Sequence, residues 1–141
     1  MTLPRFHLAF PVDNLEKARK FYLDILGCKQ GRESERWIDF DFYGHQIVAH
    51  LNENMIPAPT SDVDGKQVPC QHFGLLMARD QWHELADRLR QQNIPFLIEP
   101  YIRFEGEAGE QATMFIQDPS GNGLEFKSFA SDNDIFAPSF K

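Results

Sequence analysis

The chain carries the same order of predicted secondary-structure elements twice, and this repeat limits the folds open to it. Each half begins with a short alternating segment, residues 5–11 and residues 72–77. In both segments large apolar residues oppose a face that carries a histidine, as in a half-buried strand. An amphipathic helix and three β-prone segments follow each of them. The sequence therefore predicts an α+β fold of two βαβββ modules, whose curved mixed sheets surround a cavity.

Each predicted helix starts after an acidic residue. Asp13 is the expected N-cap of the first helix, with Glu16 three residues on and Gly27 at its end. Asp80 is the expected N-cap of the second helix, which ends before Pro95. The strands that follow are expected at residues 28–32, 36–43 and 46–51 in the first half, and at residues 96–103, 112–117 and 123–129 in the second.

The two modules are expected to form a single domain. We predict module one at residues 1–52, a proline-containing linker at 53–70, and module two at 71–130. Residues 131–141 are expected to be a polar tail, with Phe136 and Phe140 as candidate anchors.

Charge and composition exclude several classes of function. With 21 acidic and 14 basic residues, a net charge of −7 and no basic run, the chain is an unsuitable partner for nucleic acid. No segment has the length and apolar character of a membrane span or a signal peptide, so we expect a cytoplasmic protein that does not bind membranes. Cys28 and Cys70 lack metal-binding or disulfide-scaffold spacing and are expected to be free thiols.

Three residues are candidate metal ligands. His7 and His72 occupy matching positions in the first strand of each module, and Glu125 lies on the final strand of module two. If both sheets curve around one cavity, these side chains form a 2-His-1-carboxylate set with open coordination positions for a substrate. Such a set suits Fe(II), Mn(II), Zn(II) or Ni(II). The alternative is that the histidines are ordinary core residues and Glu125 is solvated.

Four stretches of the chain resemble those of a known superfamily. They are residues 6–12 (FHLAFPV), 18–22 (ARKFY), 71–74 (QHFG) and 118–126 (DPSGNGLEF). Together they resemble the vicinal oxygen chelate superfamily of glyoxalases, bleomycin-resistance proteins and extradiol dioxygenases. The resemblance implies a metal site at His7, His72 and Glu125. Residues 103–115 are similar to a bacterial branch described as predicted extradiol-type dioxygenases, which favours Fe(II).

His50 departs from the pattern of glyoxalase I, in which a glutamate on the last strand of the first module is a fourth ligand. Aligning Gly44 with Gly121 puts Val48 opposite Glu125. His50 then lies one row farther along the same face, about 7 Å away. We expect it to act as a catalytic base or to hold a metal ligand in position, the alternatives being a fourth ligand or a residue that only lines the cavity.

Two further residues are candidates for substrate binding. Tyr101 and Arg103 share one face of a module-two strand and suit an anionic or phenolic substrate, although a surface pair is an equal alternative. His45, in a turn, and His83, early in a helix, are expected to be exposed or capping residues.

The resemblance implies a metal-dependent enzyme acting on a small molecule. The leading hypothesis is an extradiol-type dioxygenase that opens a catechol-like ring, with His50 accepting a proton. The alternatives are a glyoxalase-like lyase or isomerase and a metal-free, drug-binding protein. A homodimer is expected, because two curved sheets in a chain of this size leave edges to be covered.

Overall fold

The computed structural model describes residues 3–138. The chain divides into two compact units. Unit 1 comprises the residues up to Pro57 together with Asp118–Asn122, and unit 2 comprises Ala58–Gln117 and the residues from Gly123 onward. No helix among residues 3–138 is long and apolar enough to cross a membrane.

Unit 1 has the predicted βαβββ order. Its elements are β1 (His7–Val12), α1 (Leu15–Lys20) with a π-helical turn (Phe21–Ile25), β2 (Lys29–Glu33), β3 (Trp37–Phe42) and β4 (His45–Leu51). The sheet order is β1-β4-β3-β2, with β1 parallel to β4 and the other neighbours antiparallel. The alternation in β1 is present as predicted, because Phe10 and Val12 are buried while His7 is exposed on the opposite face.

The first helix is capped one residue later than expected. The Asn14 side chain accepts a hydrogen bond from the Lys17 backbone N–H at 2.9 Å and is the N-cap. Asp13 instead accepts a hydrogen bond from the Ser120 hydroxyl at 2.8 Å. The side chains of Asp13 and Asn14 are both suitable N-caps. Ser120, which is distant in sequence, binds the Asp13 carboxylate, and Asn14 caps the helix.

Unit 2 repeats the arrangement and adds a hairpin. Its elements are β5 (Thr60–Val63), β6 (Lys66–Pro69), β7 (His72–Leu76), α2 (Arg79–Gln91), β8 (Phe96–Arg103), β9 (Gln111–Gln117) and β10 (Gly123–Phe129), followed by a 3₁₀ turn (Asp132–Asp134). The main sheet has the order β7-β10-β9-β8, with β7 parallel to β10. The α+β class and the two βαβββ sheets are thus confirmed.

The predicted cap of the second helix is wrong. Ala78 is the N-cap of α2 and makes no side-chain capping bond. Asp80 lies inside the first turn, where its charge still interacts favourably with the helix dipole. The predicted apolar face is confirmed, since its four members are buried: Trp82, Leu85, Ala86 and Leu89.

The segment predicted as a linker contains the hairpin of β5 and β6. Asp64 and Gly65 form its turn with φ of 50° and 79°, the two positive values that a type I′ turn requires. Val68 is fully buried in a cluster with Ile98 and Phe115. The hairpin is therefore folded onto unit 2.

The turn 118–122 belongs to unit 1, although it follows β9 in the chain. Asp118 accepts backbone hydrogen bonds from Ser120 and Asn122 at 2.9 Å each, and a hydrogen bond from the Tyr22 hydroxyl at 2.8 Å. The Asn122 amide donates to the Pro11 carbonyl at 2.7 Å. Burial raises the pKa of Asp118 despite these donors. Residues 118–122 of the DPSGNGLEF stretch thus have a structural role.

Two other expectations are resolved. Cys28 is buried, Cys70 is exposed and both are free thiols, as predicted. Phe136 is 93% exposed, so its predicted anchoring role is wrong. Phe140 lies outside the described residues.

Candidate metal centre

His72 and Glu125 come together on one face of unit 2. They lie on adjacent parallel strands, where Gly123 pairs with His72 and Glu125 pairs with Gly74. The Nε2 atom of His72 is 3.4 Å from Oε1 of Glu125. The imidazole also packs edge-to-face on Phe115 with ring centroids 4.8 Å apart, which fixes its orientation.

The surroundings of His72 select one tautomer. Its Nδ1 lies 2.8 Å from the backbone carbonyl oxygen of Pro69. A carbonyl oxygen can only accept, so Nδ1 carries the proton and donates it. In the neutral ring Nε2 is then unprotonated, and its lone pair is directed toward Glu125. Metal-binding histidines in proteins are commonly oriented in this way.

Glu125 is a nearly buried carboxylate, 8% exposed. The Thr113 hydroxyl donates to its Oε2 at 2.6 Å, and the Lys127 ammonium lies 4.0 Å from its Oε1. One oxygen is thus held by a neutral donor, while the other is close to both His72 and a cation. Burial of a carboxylate is costly without such partners, so these contacts offset that cost and hold the Glu125 side chain in place.

Glycines make this arrangement possible. A Cβ atom at Gly74 would lie 1.6 Å from the Glu125 carbonyl oxygen. A Cβ at Gly123 would lie 2.9 Å from the Phe115 ring and 3.1 Å from the Cβ of His72. The close approach of β7 to β10 therefore depends on the absence of side chains at both positions.

His7 lies in unit 1 and has a similar local arrangement. Its Nδ1 is 2.7 Å from Oε1 of Gln46, the residue that it pairs with on β4. With the amide oxygen accepting, Nδ1 carries the proton and Nε2 is the unprotonated nitrogen. Both predicted histidine ligands thus have the same tautomer, fixed in each case by an oxygen acceptor.

The strand registers also relate the two modules residue by residue. In unit 1, Ala9 pairs with Val48 two residues after the pairing of His7 with Gln46. In unit 2, Gly74 pairs with Glu125 two residues after the pairing of His72 with Gly123. Val48 therefore occupies the row that corresponds to Glu125, and it has no donor atom for a metal.

His50 lies farther along the same strand. It pairs with Pro11 on β1 and Trp37 on β3, and its side chain is exposed. It is four residues beyond Gln46, which pairs with His7, so the rows of His50 and His7 are about 13 Å apart. This distance disfavours His50 as a ligand to the same ion as His7.

The predicted ligands are divided between the units, His7 in unit 1 and His72 with Glu125 in unit 2. Within the described part of the chain, no group of three or more His, Cys, Asp or Glu side chains is arranged to hold a metal ion. The three-ligand set remains a prediction, of which the structure assembles one pair.

Tyr101 and Arg103 lie on the face of unit 2 that carries Glu125, since Tyr101 pairs with Thr113, which in turn pairs with Lys127. Arg103 Nη2 is 3.0 Å from Oδ1 of Asp64, and the Tyr101 hydroxyl donates to the other oxygen of the same carboxylate. Burial, followed by the hydrogen bond to Asp64, raises the pKa of Tyr101 to about 12. Tyr101 is therefore a neutral donor at physiological pH.

Sequence reasoning missed several residues around this face: Asp64, Gln111, Thr113 and Lys127. The Asp64-Gly65 pair is a recognisable turn signal, but its contact with β8 has no local signature. Of the two histidines expected to be exposed or capping residues, His45 accepts a hydrogen bond from the Phe6 backbone N–H at 3.1 Å, and His83 is exposed on α2.

Comparisons with known proteins agree with this fold. The crystal structure of a glyoxalase/bleomycin resistance protein/dioxygenase from Alicyclobacillus acidocaldarius is 34% identical, with a TM-score of 0.82, over 94% of this chain and 96% of that one. The fosfomycin resistance protein FosX from Listeria monocytogenes is 13% identical, with a TM-score of 0.70, over 95% and 98% of the two chains.

A curated relative is the metallothiol transferase FosB of Lysinibacillus sphaericus. It is 24% identical over 120 residues, which is 85% of this chain and 78% of that protein. The sequence model of the Glyoxalase/Bleomycin resistance protein/Dioxygenase superfamily matches residues 6–126. The chain therefore belongs to this superfamily, which includes metal-dependent enzymes.

Proposed function

We propose that the protein is a metal-dependent enzyme in which His7, His72 and Glu125 hold one divalent metal ion. The observation that carries the proposal is the 3.4 Å separation between Nε2 of His72 and Oε1 of Glu125. Two donor atoms that each lie about 2.1 Å from one ion are about 3.4 Å apart at a tetrahedral angle. The existing pair thus has a spacing that fits a shared ion.

The donor set fits a divalent transition metal. Two imidazole nitrogens and one carboxylate oxygen suit Fe(II), Mn(II), Zn(II) or Ni(II), and Fe(II) is favoured for an oxygenase. A bound ion would supply Lewis acidity and a template for two substrate oxygens. The competing explanation is an ion pair between a protonated His72 and Glu125. Metal content distinguishes the two, because a cationic imidazole is not a ligand.

The same face provides groups that suit an anionic small molecule with neighbouring oxygens. Arg103 is a guanidinium fork, Tyr101 is a phenol donor, and Lys127 lies near the proposed ligand Glu125. We propose that Arg103 and Tyr101 bind and orient the substrate, and that His50 accepts a proton from it. On this proposal the reaction is an extradiol-type dioxygenation of a catechol-like substrate.

A second candidate is group transfer to an oxyanion-bearing antibiotic. It is favoured by the similarity to FosB, a metallothiol transferase, and to FosX, a fosfomycin resistance protein. Both reactions would use the same ligands and the same cationic groups. A glyoxalase-like lyase or isomerase with four ligands is disfavoured, because Val48 has no donor atom at the position that corresponds to Glu125. A metal-free binding protein is disfavoured, because oxygen acceptors fix both histidines in the tautomer that leaves Nε2 free to bind a metal.

The test begins with elemental analysis of untagged protein after expression in metal-replete medium. We expect close to one divalent metal per chain. Oxygen uptake with a panel of catechols then tests the dioxygenase, and consumption of a thiol with fosfomycin tests the transferase. Folded protein that takes up no divalent metal would overturn the proposal.

A further inference from the structure

Asp64 at the tip of the β5–β6 hairpin binds both candidate substrate-binding residues. Its Oδ1 lies 3.0 Å from Arg103 Nη2, and its Oδ2 accepts the hydrogen bond from the Tyr101 hydroxyl. Two donors from one strand thus converge on the two oxygens of one carboxylate. Arginine and a phenol arranged in this way are suited to recognise a carboxylate or another oxyanion.

This contact lies on the sheet face of the proposed metal ligand. Tyr101 is in register with Thr113, whose hydroxyl donates to Glu125 at 2.6 Å. A small molecule held by Arg103 and Tyr101 would therefore lie on the face that carries Glu125.

An unsatisfied polar atom adjoins the site. Gln111 pairs with Arg103 across β8 and β9 and is 5% exposed. Its Oε1 is buried and has no hydrogen-bond partner among the described residues. Such an atom is costly to leave unpaired. A donor group on a bound ligand would satisfy this oxygen.

We propose that Asp64 is an internal carboxylate that fills an oxyanion site made by Arg103 and Tyr101, and that the substrate's anionic group displaces it. The chemical class of that group is a carboxylate or phosphonate on a small molecule. The inference rests on the proposed function, because it names the anionic end of the same substrate. Asp64 and an incoming anion would repel each other, so they bind alternately.

The contact is suited to exchange. The side chains of Arg103 and Asp64 are 25% and 32% exposed, so solvent weakens their attraction. The hairpin is held on unit 2 by Val68, which is fully buried, and by Val63, which precedes Asp64 and packs against the same cluster. Exchange therefore requires only a rotation of the partly exposed Asp64 side chain away from Arg103 and Tyr101, while the hairpin stays in place. The apparent affinity for an anion is therefore lowered, because Asp64 already occupies the site in a fraction of the molecules.

The experiment measures the affinity of methylphosphonate by titration calorimetry. Asp64→Asn removes the competing charge, and asparagine tolerates the positive φ of 50° at this position. We expect about tenfold tighter binding or more for Asp64→Asn than for the wild type. Asp62→Asn, which removes one charge from β5 of the same hairpin, is the control and should bind as the wild type does.

Arg103→Gln should abolish binding, and Arg103→Lys should restore it in part, because lysine keeps the charge and loses the fork. Equal affinities in Asp64→Asn and Asp62→Asn, or binding that survives in Arg103→Gln, would overturn the inference. Circular dichroism and thermal melting of each variant show that it is folded.

Repeating the titrations in the Glu125→Ala background separates this inference from the proposed function. If methylphosphonate binds to the metal rather than to Arg103, its affinity is lost in the Glu125→Ala background. That result would overturn the oxyanion site. Conversely, the protein could take up no metal and still bind methylphosphonate more tightly after Asp64→Asn. That result would support the oxyanion site and overturn the metal-dependent function. Metal content is measured on every sample.

Discussion

His72 and Glu125 lie on adjacent parallel strands with Nε2 3.4 Å from Oε1, and each is held from behind by a separate group. The Pro69 carbonyl accepts the Nδ1 proton of His72, and the Thr113 hydroxyl donates to Oε2 of Glu125. The atoms that face each other are Nε2 of His72 and Oε1 of Glu125, and the Lys127 ammonium lies 4.0 Å from the same oxygen. Such a pair is preorganised for a cation.

Glu125→Ala and His50→Ala are expected to behave differently. Glu125→Ala removes the one anionic ligand of the proposed set, so metal binding and activity should be lost together. His50→Ala should keep its metal, because the row of His50 is distant from that of His7, while turnover slows about 100-fold if His50 is the base. Elemental analysis and turnover are measured on both variants. Loss of metal in His50→Ala would make His50 a ligand.

Thr113→Val tests the group behind the carboxylate. Valine has nearly the same shape as threonine but cannot donate to Oε2 of Glu125, so the carboxylate is less firmly oriented. We expect metal affinity to fall about 10- to 100-fold while the fold is retained. Competition with a metal indicator measures the change, and Thr60→Val, at an exposed hairpin position, is the matched control. Unchanged affinity would show that Thr113 does not position the ligand.

A homodimer is the expected assembly, and the division of the ligands between the units suggests how to test it. If His7 of one copy completes a site with His72 and Glu125 of another, neither His7→Ala nor Glu125→Ala has an intact site alone. When the two variants are mixed and refolded together, half of the randomly formed dimers contain one copy of each. Each mixed dimer has one intact site out of two, so about a quarter of the wild-type sites should be recovered. Light scattering measures the mass of the assembly, and metal content measures the recovery of sites. A monomer, or a dimer without recovery, contradicts the shared site.

Much of the fold could be predicted because its signals are local. The alternation around His7 and His72, and the buried face of α2, depend only on periodicity within a few residues. The two sheets follow from the repetition of this order. Helix caps were less predictable, because Asp13 and Asn14 can both cap a helix. Which of them does so depends on Ser120, which is distant in sequence and binds Asp13.

The surroundings of the candidate site could not be predicted in the same way. Asp64 lies in a segment whose prolines favour a linker, and its Asp-Gly turn gives no indication of a contact with Arg103, 39 residues later. Thr113 and Lys127 became relevant only when the register of β9 and β10 placed them beside Glu125. Strand register depends on the packing of the whole sheet, which single-sequence patterns do not specify.

The titration of Tyr101 tests whether the Asp64 contact persists in solution. Burial first, and then the hydrogen bond and charge of Asp64, raise the pKa of Tyr101 from 10.0 to about 12. Because the folded state holds this proton more tightly than the unfolded chain, the contribution to stability is complete below pH 10.0 and is lost as the pH rises through about 12.

Asp64→Asn should lower the pKa of Tyr101 toward its ordinary value, because the carboxylate is removed while burial remains. The tyrosinate absorbance of each protein, minus that of its Tyr101→Phe counterpart, isolates this one phenol from Tyr22 and Tyr43. Asp62→Asn should leave the curve unchanged, since no contact joins Asp62 to Tyr101 among the hydrogen bonds and ion pairs of the described residues. Titration near pH 10.0 in the wild type would mean that the hairpin tip does not hold Tyr101, and the oxyanion site would then be open without displacement of Asp64.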